Sequence, residues 1–431
     1  LKLIALLVAP LLLGGCALAA LGSAVGAAAV GPGQVQPATW RKVDMSTGQI
    51  QDIGGLEQLA RDFPDSSSVR LRLGTAYIRE GDKAKAAEQV GWLLDRGYAF
   101  TEAGQATLIA FFEDFDPQLN GRIGRQPETI ADSSVVATVP AGARLIEDVV
   151  QDPVLGGWVV SSIVDRAIYH GTETSGQWNW RRHDIAGAGS LAGSVRANIA
   201  PTLWFASGAY DVTPAPDTAF RGLIAYSVAD GTVVHRIAAP EGATPSDIAL
   251  SGKGPLYASD PLSGAVYTAG TDDAELRMLV EPGTLRSPQG LVPLPGGRQV
   301  IVSDYRYGLA RIDVRSGSVR RIAATVPVAL DGFDGLWLID GKIVGIQNGF
   351  SPQRIVSLTF DRNYTQVTDV AILEQAHPDW IEPLGGTILG RAFYYIGNGQ
   401  WSRFGEGGMA RTDAPPLPTH IRRLPLPSPT D

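Results

Sequence analysis

A chain of 431 residues, 44% hydrophobic and 19% charged, can bury a full core and suits one large domain plus a smaller one, which excludes disorder throughout. A net charge of -8 without any Lys/Arg block leaves no footprint for nucleic acid. The single cysteine, Cys16, excludes an internal disulfide framework and any multi-cysteine zinc site.

Lys2 precedes an apolar run, Leu3 to Leu13, that is too short to span a bilayer and suits the h-region of a secretory signal. Leu13-Gly14-Gly15-Cys16 follows directly and resembles the lipobox of bacterial lipoproteins, where small residues admit the peptidase and the cysteine sulfur takes diacylglycerol. Ordinary signal cleavage after Ala17-Leu18-Ala19 is the alternative. Residues 1–16 are therefore expected to be a signal peptide lipidated at Cys16, and residues 17–45 a flexible, initially Ala/Gly-rich tether. The resemblance implies a membrane-held protein of the bacterial cell envelope. Ala17, where an aspartate would signal inner-membrane retention, points to the periplasmic face of the outer membrane.

Helical patterning occupies residues 46–128. Within the run Val69 to Glu88, Leu73, Gly74, Tyr77, Gly81 and Ala86 are spaced as in a tetratricopeptide unit, which this stretch resembles. One helix-turn-helix is predicted, with Gly74 and Ala86 allowing close approach and Gly81-Asp82 making the turn. A lone repeat cannot bury both faces, so its neighbours are sought in Leu56 to Phe63 and Thr101 to Phe115. The resemblance implies either a protein partner or a spacer packed on its own chain.

From about residue 135 the pattern changes to short β-rich runs separated by Gly, Asp and Pro. Gly157 to Ser162 precedes Arg166 to Tyr169, Leu203 to Ser207 precedes Leu223 to Tyr226, and Leu256 to Asp260 precedes Ala265 to Tyr267. Val300 to Asp304 precedes Leu309 to Ile312, Lys342 to Asn348 precedes Arg354 to Leu358, and Ala392 to Ile396 is the last. The period, roughly 40 to 55 residues, is that of a four-stranded propeller blade, and about six blades are implied. The predicted fold is mainly β: a six-bladed β-propeller over 135–412, preceded by a small α-helical, tetratricopeptide-like segment and followed by an extended Pro-rich tail, 413–431.

Four positions in the propeller carry a further resemblance. Ile146-Glu147-Asp148 leads into Gly157-Trp158-Val159, and Pro245-Ser246-Asp247 and Pro288-Gln289-Gly290 stand before strands. Asp331-Gly332-Phe333-Asp334-Gly335 is a late Asp-Gly motif. Over roughly 139–404 these are similar to the SMP-30/gluconolactonase family, six-bladed propellers that hold a divalent metal on their axis and hydrolyse lactones. The resemblance implies Glu147, Gln289 and Asp334 as metal ligands, Asp334 also as the catalytic acid/base, calcium as the expected ion, and a lactone, ester or sugar as the small-molecule ligand. Ser246 and Gln289 replace the family's asparagines; both keep an oxygen, one nearer and one farther. A non-enzymatic envelope scaffold that binds through its propeller face is the alternative.

Asp148, Asp247, Asp260 and Asp304 read as turn or strand-end residues, because Asp accepts hydrogen bonds from nearby backbone amides. Gln347 and Asn348 either face a pocket or form a turn before Gly349. Five scattered histidines without zincin spacing, and the lack of a Gly-x-Ser-x-Gly elbow, exclude zincin and α/β-hydrolase chemistry. Gly187 to Gly193 reads as a flexible loop, and Trp178 and Trp180 read as residues that pack on the helical segment, with a pocket rim as the alternative.

Overall fold

The computed structural model describes residues 38–197, 201–252 and 254–428; Cys16 and the lipobox lie outside the described residues. The helices are α1 (Ile53–Asp62), α2 (Ser67–Glu80), α3 (Lys83–Leu94), α4 (Glu102–Phe111) and α5 (Pro117–Ile123). Asp52, Ser66, Asp82, Thr101 and Asp116 stand at their starts, each side chain accepting a backbone N–H of the first turn. Gly81, at φ 76, ends α2 in the left-handed conformation that glycine adopts without strain, and Asp82 opens α3. The expected turn is therefore in place. Among the described residues no helix is long and apolar enough to cross a membrane.

The strands begin with β1 (Ser134–Val139), and six sheets follow. Blade one is β2 (Ile146–Gln151), β3 (Trp158–Ser162), β4 (Ala167–Thr174) and β5 (Gln177–Asp184). Blade two is β6 (Ser190–Arg196), β7 (Leu203–Gly208), β8 (Gly222–Ser227) and β9 (Thr232–Ala238). Blade three is β10 (Ile248–Leu250), β11 (Leu256–Asp260), β12 (Ala265–Ala269) and β13 (Arg277–Val280). Blade four is β14 (Pro288–Pro293), β15 (Gln299–Asp304), β16 (Gly308–Asp313) and β17 (Val319–Arg321). Blade five adds a short edge, β18 (Ala323–Ala324), to β19 (Gly335–Ile339), β20 (Lys342–Gln347), β21 (Arg354–Phe360) and β22 (Gln366–Gln375). Blade six is β23 (Gly386–Leu389), β24 (Ala392–Ile396) and β25 (Thr419–Pro425), completed by β1. The fold is a six-bladed β-propeller preceded by a small helical unit.

The strand runs predicted from the sequence are the second and third strands of blades one to five and the second of blade six. These are packed on both faces, as the wholly buried β7 and β8 show, and so read as unbroken apolar runs.

Ring closure overturns one expectation. Residues 413–431 are not simply an extended tail, because β25 lies between β24 and β1, pairing Ile421 with Ile396 and with Ala137. Ile421 and Leu424 are buried, and the prolines fall at the strand's borders, where a missing N–H costs no ladder bond. The expected tether ends early for a similar reason. Trp40 and Val43 are buried, and the Trp40 indole donates to the Thr284 carbonyl at 2.9 Å. Trp178 and Trp180 are packing residues, but within the propeller rather than against the helices. They stack 6.0 Å apart on β5, and their indole N–H groups donate to the Val136 and Thr138 carbonyls of β1 at 3.0 and 2.8 Å.

The helical unit sits on the loops that precede the inner strands of blades four and five. Its apolar residues Leu59, Phe63 and Leu73 share one core with Val280, Tyr307 and Ile312. Asp331 accepts the backbone N–H groups of Ser67 and Ser68, both at 2.8 Å, and the Ser67 hydroxyl at 2.9 Å, so a propeller carboxylate satisfies donors that the start of α2 leaves open. Ala99 and Ser351 exchange two further hydrogen bonds, each 2.7 Å.

Because β25 is interior to its blade, Ile421→Ala is expected to lower stability by about 2 to 4 kcal/mol in urea unfolding. Truncation after Thr412 should abolish the cooperative transition altogether.

Candidate functional site

Each blade's chain runs from one face to the other along its first strand, so the six first strands start together and surround the axis. They enclose a cavity of about 330 Å³. Its lining at the strand starts is Glu147 and Asp148, Ser194, Ser246 and Asp247, Gln289, Asp334 and Gly385. The three expected ligands Glu147, Gln289 and Asp334 thus share one cavity, all buried. Farther along the strands the lining becomes aliphatic, through Val150, Leu250, Leu291 and Leu338, with Arg196 as the exposed charge.

Neighbouring first strands are stitched at glycines. The Gly385 N–H donates to the Glu147 carbonyl at 3.1 Å, that of Gly193 to Ser246 at 2.8 Å, and that of Gly290 to Asp334 at 3.1 Å. A side chain would disturb this. A Cβ on Gly193 would stand 2.6 Å from Asp247 Oδ1 and 2.9 Å from its Cα, and one on Gly385 would stand 2.5 Å from Asp148 Oδ1. The Gly187 to Gly193 stretch is accordingly no loose loop: Gly189 donates to the Ser207 hydroxyl at 2.8 Å and Ser190 already belongs to β6.

Loops on the helix-covered face hold the carboxylates in place. The Trp401 indole N–H donates to Glu147 Oε2 at 2.7 Å. The Asn348 amide donates to Asp334 Oδ2 at 3.2 Å and to the Pro383 carbonyl at 3.0 Å, while its own oxygen accepts the Tyr305 hydroxyl at 2.9 Å. Asn348 lies in the turn before Gly349, one of its two readings, and from there its amide reaches Asp334. Gln347 points elsewhere, its amide donating to the Ala329 and Asp331 carbonyls.

Asp260 and Asp304 are turn residues as expected. The first accepts the N–H groups of Thr244, Leu262 and Ser263, and the second those of Arg286, Arg306 and Tyr307. Asp148 and Asp247 are not. Both line the cavity, and Asp148 Oδ2 accepts the Ser194 N–H at 2.6 Å and its hydroxyl at 2.8 Å, across the blade boundary. Burial, and then the charge of Asp247, push the Asp148 carboxyl well above the usual carboxylate range, against the pull of Ser194. The signals that mark this constellation in sequence are the glycines one blade away, Gly193, Gly290 and Gly385.

Oxygen is the only donor type at the strand starts, which suits a hard cation. Among the described residues no three His, Cys, Asp or Glu side chains are grouped to hold a metal by themselves. A cation would therefore need the Gln289 amide oxygen, with or without the Ser246 hydroxyl, beside Glu147 and Asp334.

No family model and no curated protein matches the sequence. Among solved structures the chain is similar to the PQQ-bound aldose sugar dehydrogenase from Streptomyces coelicolor, at 13% identity and a TM-score of 0.46, over 70% of this chain and 99% of that one. It is also similar to a luciferin-regenerating enzyme, at 12% identity and a TM-score of 0.46, over 69% of this chain and 95% of that one. A streptogramin B lyase structure is similar at 13% identity and a TM-score of 0.44, over 65% of this chain and 79% of that one.

Since the Gly193 position is filled by Asp247, Gly193→Ala is expected to cost about 1 to 3 kcal/mol, read as a lowered urea midpoint at unchanged slope.

Proposed function

We propose that the chain is a divalent-metal-dependent hydrolase of lactones or related esters, acting in its propeller channel in the manner of the SMP-30/gluconolactonase group. The observation that carries this reading is that Glu147 and Asp334 enter one buried cavity, each with one oxygen taken by an N–H from a loop outside it. Such outer partners fix a liganding carboxylate's orientation and support its affinity for a cation. Calcium is the ion proposed, held by Glu147, Gln289 and Asp334. When bound, it would polarise the ester carbonyl.

In this reading the chain's own residues do the rest. Asn348 fixes the Asp334 carboxylate, which takes the proton of the attacking water as the new C–O bond forms. The same carboxyl returns that proton to the ring oxygen as the acyl C–O bond breaks, leaving the hydroxy acid. Trp401 holds Glu147, and the aliphatic wall of Val150, Leu250, Leu291 and Leu338 accepts the substrate's apolar part.

Lipidation at Cys16 would tether this activity to the envelope, on the periplasmic face of the outer membrane, with the tetratricopeptide-like hairpin α2–α3 as a spacer or docking element. A second reading, a non-enzymatic scaffold that binds a sugar or protein partner, draws on the lack of a three-carboxylate cluster among the described residues.

Calorimetric titration of the metal-stripped, detergent-solubilised full chain with calcium, manganese and zinc separates the two. One binding event is expected, lost in Asp334→Ala and weakened roughly 10- to 100-fold in Trp401→Phe. Absence of heat with the folded wild type leaves the scaffold.

A further inference from the structure

The channel is charged differently at its two ends. In blades two to five, exposure rises along the first strand, from half-buried Ser194 to exposed Arg196, and from buried Ser246, Gln289 and Asp334 to half-buried Leu250, Pro293 and Leu338. At the strand starts, Trp401 and Asn348 reach Glu147 and Asp334 from the helix-covered face. The carboxylates therefore form the floor of the channel, and Arg196 stands at its mouth.

Arg196 is the one cation among the described residues that line this cavity, against four carboxylates, Glu147, Asp148, Asp247 and Asp334. No hydrogen bond, ion pair or ring contact engages its guanidinium among the described residues. Side chains alternate along β6, so Arg196 falls on the same face as Ser194, whose hydroxyl donates to Asp148 at 2.8 Å. Two residues of strand set it about 7 Å farther along the channel. The wall over that distance is apolar, through Leu250, Leu291 and Leu338. A guanidinium beside an apolar wall attracts an anion more strongly than one in open water, and its planar fork matches a carboxylate.

We propose that Arg196 selects anionic ligands for this cavity: molecules with a carboxylate at the mouth, an apolar spacer of about 7 Å on the aliphatic wall, and their other polar end on the floor. The inference rests on the reading of the cavity as the site of hydrolysis, and it narrows the substrate to lactones or esters whose acyl chain or ring substituent bears a carboxylate. The acidic floor repels that carboxylate while Arg196 attracts it, so the same field fixes which end of the substrate enters first.

The probes are hexanoate and hexanamide, which share an apolar chain and differ in charge. Each is titrated by calorimetry into the metal-stripped, detergent-solubilised full chain. Hexanoate is expected to bind once, about three- to tenfold more tightly than hexanamide. That preference should vanish in Arg196→Gln and persist in Arg196→Lys, and both variants should melt as the wild type does, because the side chain they replace is exposed. Equal binding of the two probes, binding of neither, or a preference that survives in Arg196→Gln would each overturn the proposal. The readout needs neither calcium nor turnover. Calcium binding without a hexanoate preference would remove this proposal and leave the hydrolase reading; a hexanoate preference without calcium binding would remove the hydrolase and leave a channel selective for anions.

Discussion

Everything in this molecule depends on the pairing of β1 with β25. A propeller whose last blade lacks its outer strand leaves an open ladder, and its ring is held at that point by side-chain packing alone. Here the strand that leaves the helical unit completes the blade formed by the end of the chain, and two stacked indoles of blade one hydrogen-bond to its carbonyls. The closed ring sets the spacing of the six first strands. That spacing lets Gly385 of the last blade reach Glu147 of the first, so the geometry of the cavity is inherited from a junction at the ring's outer edge.

The helical unit is tied to the same geometry from another side. Asp331 satisfies the opening turn of α2, and Asp334, three residues on, enters the cavity. The short segment between them passes through Gly332, at φ 77, and the fully buried Phe333, which leaves little slack. A displacement of α2 would be felt at Asp334 through three residues of packed backbone. Burial raises the Asp331 carboxyl above its ordinary range, and the serine donors work against that rise, so the junction joins a costly group to the groups that relieve it.

Strand runs buried on both faces could be read directly, which is why the blade count and the helix hairpin at Gly81-Asp82 were accessible from sequence. Glu147, Gln289 and Asp334 were accessible too, because each sits just before or at the start of a strand in a short motif. Asp148 and Asp247 were misread since the local rule for aspartate, a turn capped two residues on, holds for Asp260 and Asp304 and looks identical in sequence. What separates the two pairs is a neighbour in the next blade, and the glycines that admit that neighbour lie far away along the chain. Trp401 reaches Glu147 across 254 positions, a distance at which no periodicity carries information. The terminal strand was hidden by its prolines, which cluster around 415–427 and outweigh the apolar pair Ile421 and Leu424.

The junction of β1 with β25 has a consequence for the order of events in the cell. A strand made early, at residues 134–139, has its partner at 419–425, so the earliest blade material leaves the ribosome, and any export channel, long before the ring can shut. Blades one to five can assemble as the chain emerges, but β1 must wait for its one ladder partner, β25. The closed ring is therefore a late product of synthesis: five blades can be complete while the sixth still lacks β25.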